Sequence, residues 1–578
     1  MLTKLTLRNF KRFDEAVIDL AEPVVLIGPN NSGKTTALQA LTLWDVGLRT
    51  WLEKRGHGGT SPEKRPGVSI NRKDLFSLPI PSALLLWNDL HVRAATAKNG
   101  EKGTDNVRIE IQVDGITQGR KWSCGLEFDY ANEESIYCRP LRTENSKDPK
   151  RMDVPEIVSR IRVAYLPPMS GLADREFAKQ PGEIGYLIGQ GQTAQVLRNM
   201  CYDLCKNNDG KTQWENIVER AQDLFGMMLS EPKLISTRSE ITMVYREPNG
   251  TELDLSCAGR GLQQTLLLLV FLHSNPGAVL LLDEPDAHLE ILRQRQIFNL
   301  LTDVAATQGS QIIAASHSEI VLNEAANRGK VIAFVGKPHV INDRGSQALK
   351  ALTEIGFDQY YQAEQKGWVL YLESITDLDI LRTFATTLGH NSRKYLETPF
   401  LHPVATNLPQ CVRDHFFGLQ EAKNDLRGIA IFDRIDKVLQ SHPSLTEVMW
   451  ERREIENYFC MEETLMAYAA SDTDDDLFGI GEREKRVRAM RESIDEVRQA
   501  LLKLGKPEPW SKDIKATDEF LDPLFKEYSR KLEVPLALRK NEYYKLARFV
   551  DKSKIDSEVS EKLDAILDVA KKAPIESH

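Results

Sequence analysis

Three kinds of residue in this chain are spaced for phosphate and metal chemistry. The first is "GPNNSGKTT", where Gly28, Asn30, Asn31, Ser32, Gly33, Lys34, Thr35 and Thr36 form a complete GxxxxGK[ST] between an apolar run, Val24 to Ile27, and an amphipathic pattern. Backbone N–H groups of such a loop cradle phosphates at a helix N-terminus. Lys34 then neutralises the β/γ oxygens and Thr35 ligates Mg²⁺. Some 250 residues later, "AVLLLDEPDAHLE" reads as a buried strand ending in Asp283 and Glu284. An Asp there can hold Mg²⁺ and a Glu can polarise the attacking water. "QIIAASHSEIVL" is a further strand, and it delivers His317 to where a γ-phosphate would lie. The second kind is the Gly-rich "LSCAGRGLQQ", with Gly259 and Gly261 flanking Arg260. The third is a series of acidic groups at strand ends. "VLYLESITDLDIL" ends on Glu373 with Asp377 one helical turn on, "GIAIFDRID" ends in Asp433 and Asp436, and "WERREIENYF" carries Glu454 and Glu456. Strand-terminal Glu residues are common, but three such groups make an oxygen-ligand cage for Mg²⁺ or Mn²⁺ plausible, at the carboxyl ends where open α/β sheets place their ligands.

The elements that must position these groups are α/β in pattern. A chain of 578 residues exceeds one ordinary core, and a prior of about 150 residues per domain gives roughly three or four folding units. At 41% hydrophobic and 28% charged the chain is ordinary globular material. Its longest apolar run, "TLLLLVFL", falls far short of the roughly 20 residues that span a bilayer. The N-terminus lacks the continuous apolar segment of a secretory signal, so a cytoplasmic protein without membrane contact is expected. Cys124, Cys138, Cys201, Cys205, Cys257, Cys411 and Cys460 show no CxxC spacing, which suits a reducing compartment without disulfides or zinc.

The net charge of −9 argues against a general nucleic-acid coat, although basic residues concentrate between Leu48 and Asp74. That stretch, with Arg49, Lys54, Arg55, Lys64, Arg65, Arg72 and Lys73, is either a solvated loop or a phosphate-backbone contact. The acidic run "SDTDDDLFG" fits a loop or helix start better than a metal site. "VRIEIQV" and the alternation through Trp122, Cys124, Leu126, Phe128 and Tyr130 predict strands that extend the first sheet, and the pattern after Pro168 turns helical to about Met228.

As a set, "LRNFKRF", "GPNNSGKTT", the Ser/Gly/Gln segment, "DEPDAHL" and "SHS" resemble the ABC-type ATPases of the SMC/RecF kind over about residues 1–345. The resemblance implies two ATPs held between two heads, the Gly-rich signature of one facing the phosphate loop of the other. The chain departs from LSGGQ, since Ser256 lies three residues before Gly259. "VAYLPPMSG" stands where a Q-loop Gln would be expected.

The later acidic groups resemble a Toprim domain. A Toprim behind such a head resembles the OLD-family nucleases, including the nuclease subunit of Gabija-type phage defence. This resemblance implies an ABC-type head at 1–355 with a helical insertion at about 171–230, then a Toprim-like α/β domain at 356–578. It matches Glu373 to the family's metal-site Glu, Asp377 to the next acid of ExxxE and Asp433 to the first Asp of DxD. Asp436 comes one residue late for the second, and Ser374 replaces the usual Gly. "IENYF" resembles the third acidic element, which favours Glu456 or Glu454, and Lys540 corresponds to a late basic residue beside the scissile phosphate.

Implied with it are ATP, Mg²⁺ (or Mn²⁺ at the Toprim site), a homodimer or homotetramer formed through the heads, and a companion defence protein. The implied activity is ATP-regulated, metal-dependent endonuclease action on nucleic acid, DNA favoured over RNA, in antiviral defence. A DNA-binding or sensor ATPase with a decayed Toprim and a Toprim ribonuclease acting on tRNA are the alternatives.

Overall fold

A computed structural model describes the chain except residues 21–22, 57–66, 76–77, 79, 99–100, 143–150, 208–209, 336, 342–354, 405–407, 441, 472–476 and 574–578. The chain divides into two compact units, Met1–Leu349 and Lys350–His578.

The first unit is built on two six-stranded sheets. In the nucleotide sheet the order is Val163–Leu166, Val279–Asp283, Gln311–Ser316, Val24–Ile27, Lys330–Ala333 and His339–Val340. The first five strands are parallel and the last pairs antiparallel. Val24–Ile27, Val279–Asp283 and Gln311–Ser316 are buried at every position, which is why they read as continuous apolar runs and not as alternations. The alternating segments predicted to extend this sheet form a second one instead. Ile109–Thr117 and Arg120–Asn132 pair antiparallel beside the N-terminal Leu2–Phe10 and Phe13–Asp19 hairpin. Period-2 burial suits a sheet with only one face covered.

The covering element is the helix Lys34–Arg55, whose apolar side joins both sheets in one core. Trp44 donates its indole N–H to the Cys124 carbonyl at 3.0 Å and stacks on Trp122 with ring centroids 6.3 Å apart. Gly47 lets the helix approach, because a Cβ there would lie 2.9 Å from the Phe128 ring and 3.0 Å from Cys138 Sγ. Alanine is the better helix former by about 1 kcal/mol, but overpacking costs about 1–3 kcal/mol. Gly47→Ala is therefore expected to lower the denaturant midpoint of the head; a raised midpoint would mean that the helix can retreat.

After Val163–Leu166 come helices Pro181–Gly189, Leu197–Lys206 and Gly210–Phe225, then short antiparallel strands that lead to the Arg260–Ser274 helix. The second unit holds a four-stranded sheet in the order Leu401–Pro403, Trp368–Leu372, Arg427–Phe432, Leu445–Met449. Every pairing is parallel. Helix Ile375–Leu388 follows the Trp368–Leu372 strand, and the helices after Glu462 complete a separate core. The sequence boundary after residue 355 lies close to the division between the two units. No helix among the described residues is long and apolar enough to cross a membrane. The acidic positions 472–476 and the basic positions Lys64 and Arg65 lie outside the described residues.

Candidate functional site

In the head, the phosphate loop leaves the Val24–Ile27 strand and enters the Lys34–Arg55 helix. Its turn needs left-handed backbone at Asn31 (φ 61°) and at Gly33 (φ 106°), where a Cβ would lie 2.6 Å from Phe13. Lys34 is buried, and its ammonium donates to the carbonyls of Gly28 and Pro29 at 2.6 and 2.8 Å. Burial lowers its pKa, against the opposing pull of Glu284, Asp283 and Asp286. Thr35 donates its hydroxyl to Asp283 at 3.1 Å, so the two residues expected to share Mg²⁺ are in contact. Asn30, Ser32 and Thr36 complete the loop and the first turn of the helix.

Tyr165, on the neighbouring strand, donates its hydroxyl to the other Asp283 oxygen at 3.1 Å. Sequence reasoning flagged its segment as the place of a missing Gln without finding this contact. Burial raises the Asp283 pKa to about 6, and the Thr35 and Tyr165 hydrogen bonds oppose the rise. Glu284 adopts φ 50° and donates its N–H to the Ala315 carbonyl at 2.9 Å. That conformation is uncommon for a residue with a Cβ, and it turns the side chain away from the strand's alternation. His317 Nδ1 lies 3.7 Å from Glu284 Oε1.

The Gly-rich segment sits at the start of a helix, with Gly259 as its N-cap and Gly261 in its first turn. The Ser256 hydroxyl is engaged locally, donating to Asp254 at 2.6 Å, while Asp254 also pairs with Arg198 at 2.8 Å. Of the basic cluster, Arg49 pairs with Asp45, Arg72 with Glu134, and Lys54 donates to the Ser69 carbonyl.

In the second unit, strand register brings the acidic residues together. Tyr371 lies opposite Ala430, so Glu373, two residues on, and Asp433, three residues on, leave adjacent strand ends. The two carboxyls are close enough for Glu373 to raise the Asp433 pKa. Burial pushes the Asp433 pKa up, and the charges of Glu373, Glu456 and Asp377 add to it. Glu456 is likewise raised, first by burial and then by Glu454, Asp377 and Glu373. Asp377 stands at about 6, raised by burial against its bonds to Ser374. It caps the Ile375–Leu388 helix by accepting from the Ser374 hydroxyl at 2.7 Å and the Ser374 N–H at 3.3 Å. Ser374, at the usual Gly position, is therefore a helix cap.

Glu454 is buried and accepts the Thr517 N–H at 2.5 Å, so one of its oxygens is committed to the backbone. Asp436 is exposed, three residues beyond Asp433, and is not among the charges that raise Asp433 or Glu456. Lys540 is exposed and paired with Asp518. The lysine that feels this cluster is Lys515, which pairs with Asp518 at 2.7 Å and whose pKa is raised first by that bond and further by Glu454 and Glu373. It is the N-cap residue of the short helix Ala516–Leu521 and has no motif around it, so nothing in the sequence marked it.

The donors are all hard oxygens, which fits Mg²⁺ or Mn²⁺. Among the described residues, however, no group of three or more His, Cys, Asp or Glu side chains is gathered to hold a metal ion. Above the ordinary carboxylate range of about 4, the unfolded chain releases protons that Asp433 and Asp377 retain when folded. Stability of the metal-free unit therefore falls as pH rises from about 4, and the Asp377 share is fully lost above about 6. Asp433→Asn removes one carboxylate. In chelator at pH 8 it is expected to be more stable than the parent by at least about 1 kcal/mol, with the gap closing toward pH 5. Equal melting curves at both pH values would show that these carboxylates do not repel one another.

The family "AAA ATPase domain" matches residues 1–44, and the family described as "AAA domain, putative AbiEii toxin, Type IV TA system" matches residues 208–323. These two segments carry the phosphate loop and the Asp283–Glu284 strand. OLD nuclease from Thermus scotoductus is 23% identical over 363 residues, 58% of this chain and 62% of that protein. Over that stretch the chain is similar to this OLD nuclease. It spans 62% of the length of that curated relative. Among solved structures, the SMC head domain from Thermotoga maritima is 18% identical with a TM-score of 0.30, covering 59% of this chain and 98% of that one. An Smc head domain with an extended coiled coil, bound to the C-terminal domain of ScpA derived from Pyrococcus furiosus, is 13% identical with a TM-score of 0.35, covering 61% and 99%.

Proposed function

We propose that this chain is an ATP-regulated endonuclease of the OLD family, with the head hydrolysing ATP and the second unit cleaving nucleic-acid phosphodiesters, DNA favoured, in antiviral defence in the cytoplasm. The observation that carries the nuclease half is the convergence of Glu373, Asp433, Asp377 and Glu456 at the carboxyl end of an all-parallel sheet, with Lys515 beside them. Four carboxylates alone would repel a phosphodiester. Divalent ions held there supply a nucleophilic water and offset the charge that develops on the leaving oxygen. Glu373 and Asp433 would hold the metal, Glu456 and Asp377 would complete its shell, and Lys515 would hold the scissile phosphate in register.

In the head, Lys34 and the loop amides would bind the β- and γ-phosphates and Thr35 and Asp283 the Mg²⁺. Glu284 would accept a proton from the attacking water, and His317 would contact the γ-phosphate. We infer that two heads close on ATP, because Gly259 and Gly261 have a purpose only opposite a second phosphate loop. Ile291 and Leu292, exposed at 66% and 73% just past the Asp283–Glu284 strand, offer an apolar edge for that contact. Light scattering with ATP and Mg²⁺ is expected to give a dimer or tetramer, and a strict monomer would refute the pairing.

The absence of a ready-made metal group among the described residues, with Asp436 exposed, favours as a second reading a DNA-binding or sensor ATPase whose nuclease site has decayed. Supercoiled plasmid and tRNA, each with Mg²⁺ or Mn²⁺ and with or without ATP, separate the readings. Plasmid nicking supports the first, no cleavage of either supports the second, and cleavage of tRNA alone indicates a ribonuclease.

A further inference from the structure

Next to the acidic cluster of the second unit, three stretches of chain lie side by side, joined by backbone hydrogen bonds. Arg434, which follows Asp433, donates its N–H at 3.2 Å to the carbonyl of Arg453, which precedes Glu454. Arg453 in turn donates its N–H to the Lys512 carbonyl at 2.9 Å. Each stretch brings one basic residue to this edge. The Arg434 side chain reaches past the middle stretch to pair with Asp513 at 2.8 Å.

Two of the three cations are uncommitted. Arg453 and Lys512 are exposed, and among the described residues neither side chain makes a hydrogen bond or an ion pair. Three carboxylates of this edge are already paired: Asp513 with Arg434, Asp518 with Lys515 at 2.7 Å, and Glu519 with Lys506 at 3.0 Å. Glu519 also accepts the Lys515 N–H at 3.1 Å. Its pKa is lowered first by the Lys506 bond and further by the charge of Arg453, so Arg453 faces the same turn as Lys515.

A small anion would engage one of these cations and leave the other idle. Chains joined by backbone hydrogen bonds lie about 5 Å apart, so the three span roughly 10 Å, the axial run of about three phosphates of one nucleic-acid strand. We propose that Arg453 and Lys512 form a track for the sugar-phosphate backbone, seating the strand that flanks the bond cleaved at the acidic cluster. The track rests on the nuclease reading for its purpose, though not for its binding. Contacts to phosphate fix register and carry no base preference, so the track positions substrate without choosing its sequence.

Fluorescence anisotropy of labelled DNA duplexes with the full chain in chelator, over a range of salt concentrations, reads the track without cleavage. The Arg453→Gln/Lys512→Gln double variant is expected to bind at least about tenfold more weakly at low salt, and to lose about 2 from the slope of log affinity against log salt. Two duplexes of unrelated sequence are expected to be weakened alike, and Arg453→Lys/Lys512→Arg, which keeps both charges, is expected to bind as the parent does. Melting temperature and ATP hydrolysis without DNA are expected to stay parental in the double variant, because both side chains are exposed and unpaired. Parental affinity and slope in that variant, no DNA binding by the parent, sequence-dependent weakening, or equal displacement of DNA by pyrophosphate or polyglutamate overturns the track. The assay holds no metal, so the two readings fail separately. A parent that binds through the track and cuts nothing with Mg²⁺ or Mn²⁺ refutes cleavage alone. A parent that cuts, beside a double variant that binds as tightly, refutes the track alone.

Discussion

Glu284→Gln is expected to bind ATP as the parent does and to hydrolyse it about 10²–10⁴-fold more slowly. The substitution keeps size and polarity, so the φ 50° backbone and the N–H bond to Ala315 that aim the side chain remain. What it removes is the proton acceptor for the attacking water. Closed heads are then expected to accumulate, because their release waits on hydrolysis. Lys34→Ala is the contrasting lesion. It deletes the ammonium that now rests on the Gly28 and Pro29 carbonyls, poised where phosphate oxygens would replace them, so nucleotide binding itself is lost. Nucleotide affinity and phosphate release measure the two effects separately. Parental turnover by Glu284→Gln would remove Glu284 from the role of base and direct attention to its neighbour, His317.

Glu373→Ala is expected to abolish cleavage while leaving ATP hydrolysis and folding intact. The expected loss is at least about 10³-fold, since one anchor of a metal that both generates the nucleophile and offsets charge is gone. Folding survives because Glu373 is an exposed strand-end residue in a unit with its own core. Relief of repulsion on Asp433 and Glu456 is expected to raise the melting temperature of the metal-free protein slightly. A structural Glu would do the opposite: activity kept and stability reduced by about 1 kcal/mol or more would refute the metal role. Asp433→Ala is expected to match Glu373→Ala. Asp436→Ala, exposed and apart from the cluster, is expected to cut normally; an inactive Asp436→Ala would mean that the strand end rearranges to bring it in when metal binds. Lys515→Ala is expected to impair cleavage more than Lys540→Ala does, because both lysines pair with Asp518 but Glu454 and Glu373 are among the charges that raise the Lys515 pKa and not among those that raise Lys540.

What the sequence determined by itself is what contiguous residues encode. A phosphate loop is eight neighbouring residues whose backbone does the binding, so Gly28 to Thr35 announces its chemistry and its strand-turn-helix setting together. The buried strands were equally legible, since a parallel sheet covered on both faces must be apolar throughout. The strand-end acids Glu373 and Asp433 were visible as candidates for the same reason: each closes an apolar run.

Only the tertiary structure could decide which distant groups meet. Sheet order placed the Val163–Leu166 strand beside Val279–Asp283, and so put Tyr165 on Asp283 where a Gln was sought. Alternation announced the strands from Ile109 to Asn132 but not their partners. Pairing is settled by which faces need cover, and the N-terminal hairpin and the Lys34–Arg55 helix supplied it. Among the acids and lysines, the family resemblance pointed to Lys540 and left Lys515 unremarked. Charge acts through space and not along the chain, and the fold brings Lys515 to Glu454 and Glu373 while it leaves Asp436 in solvent.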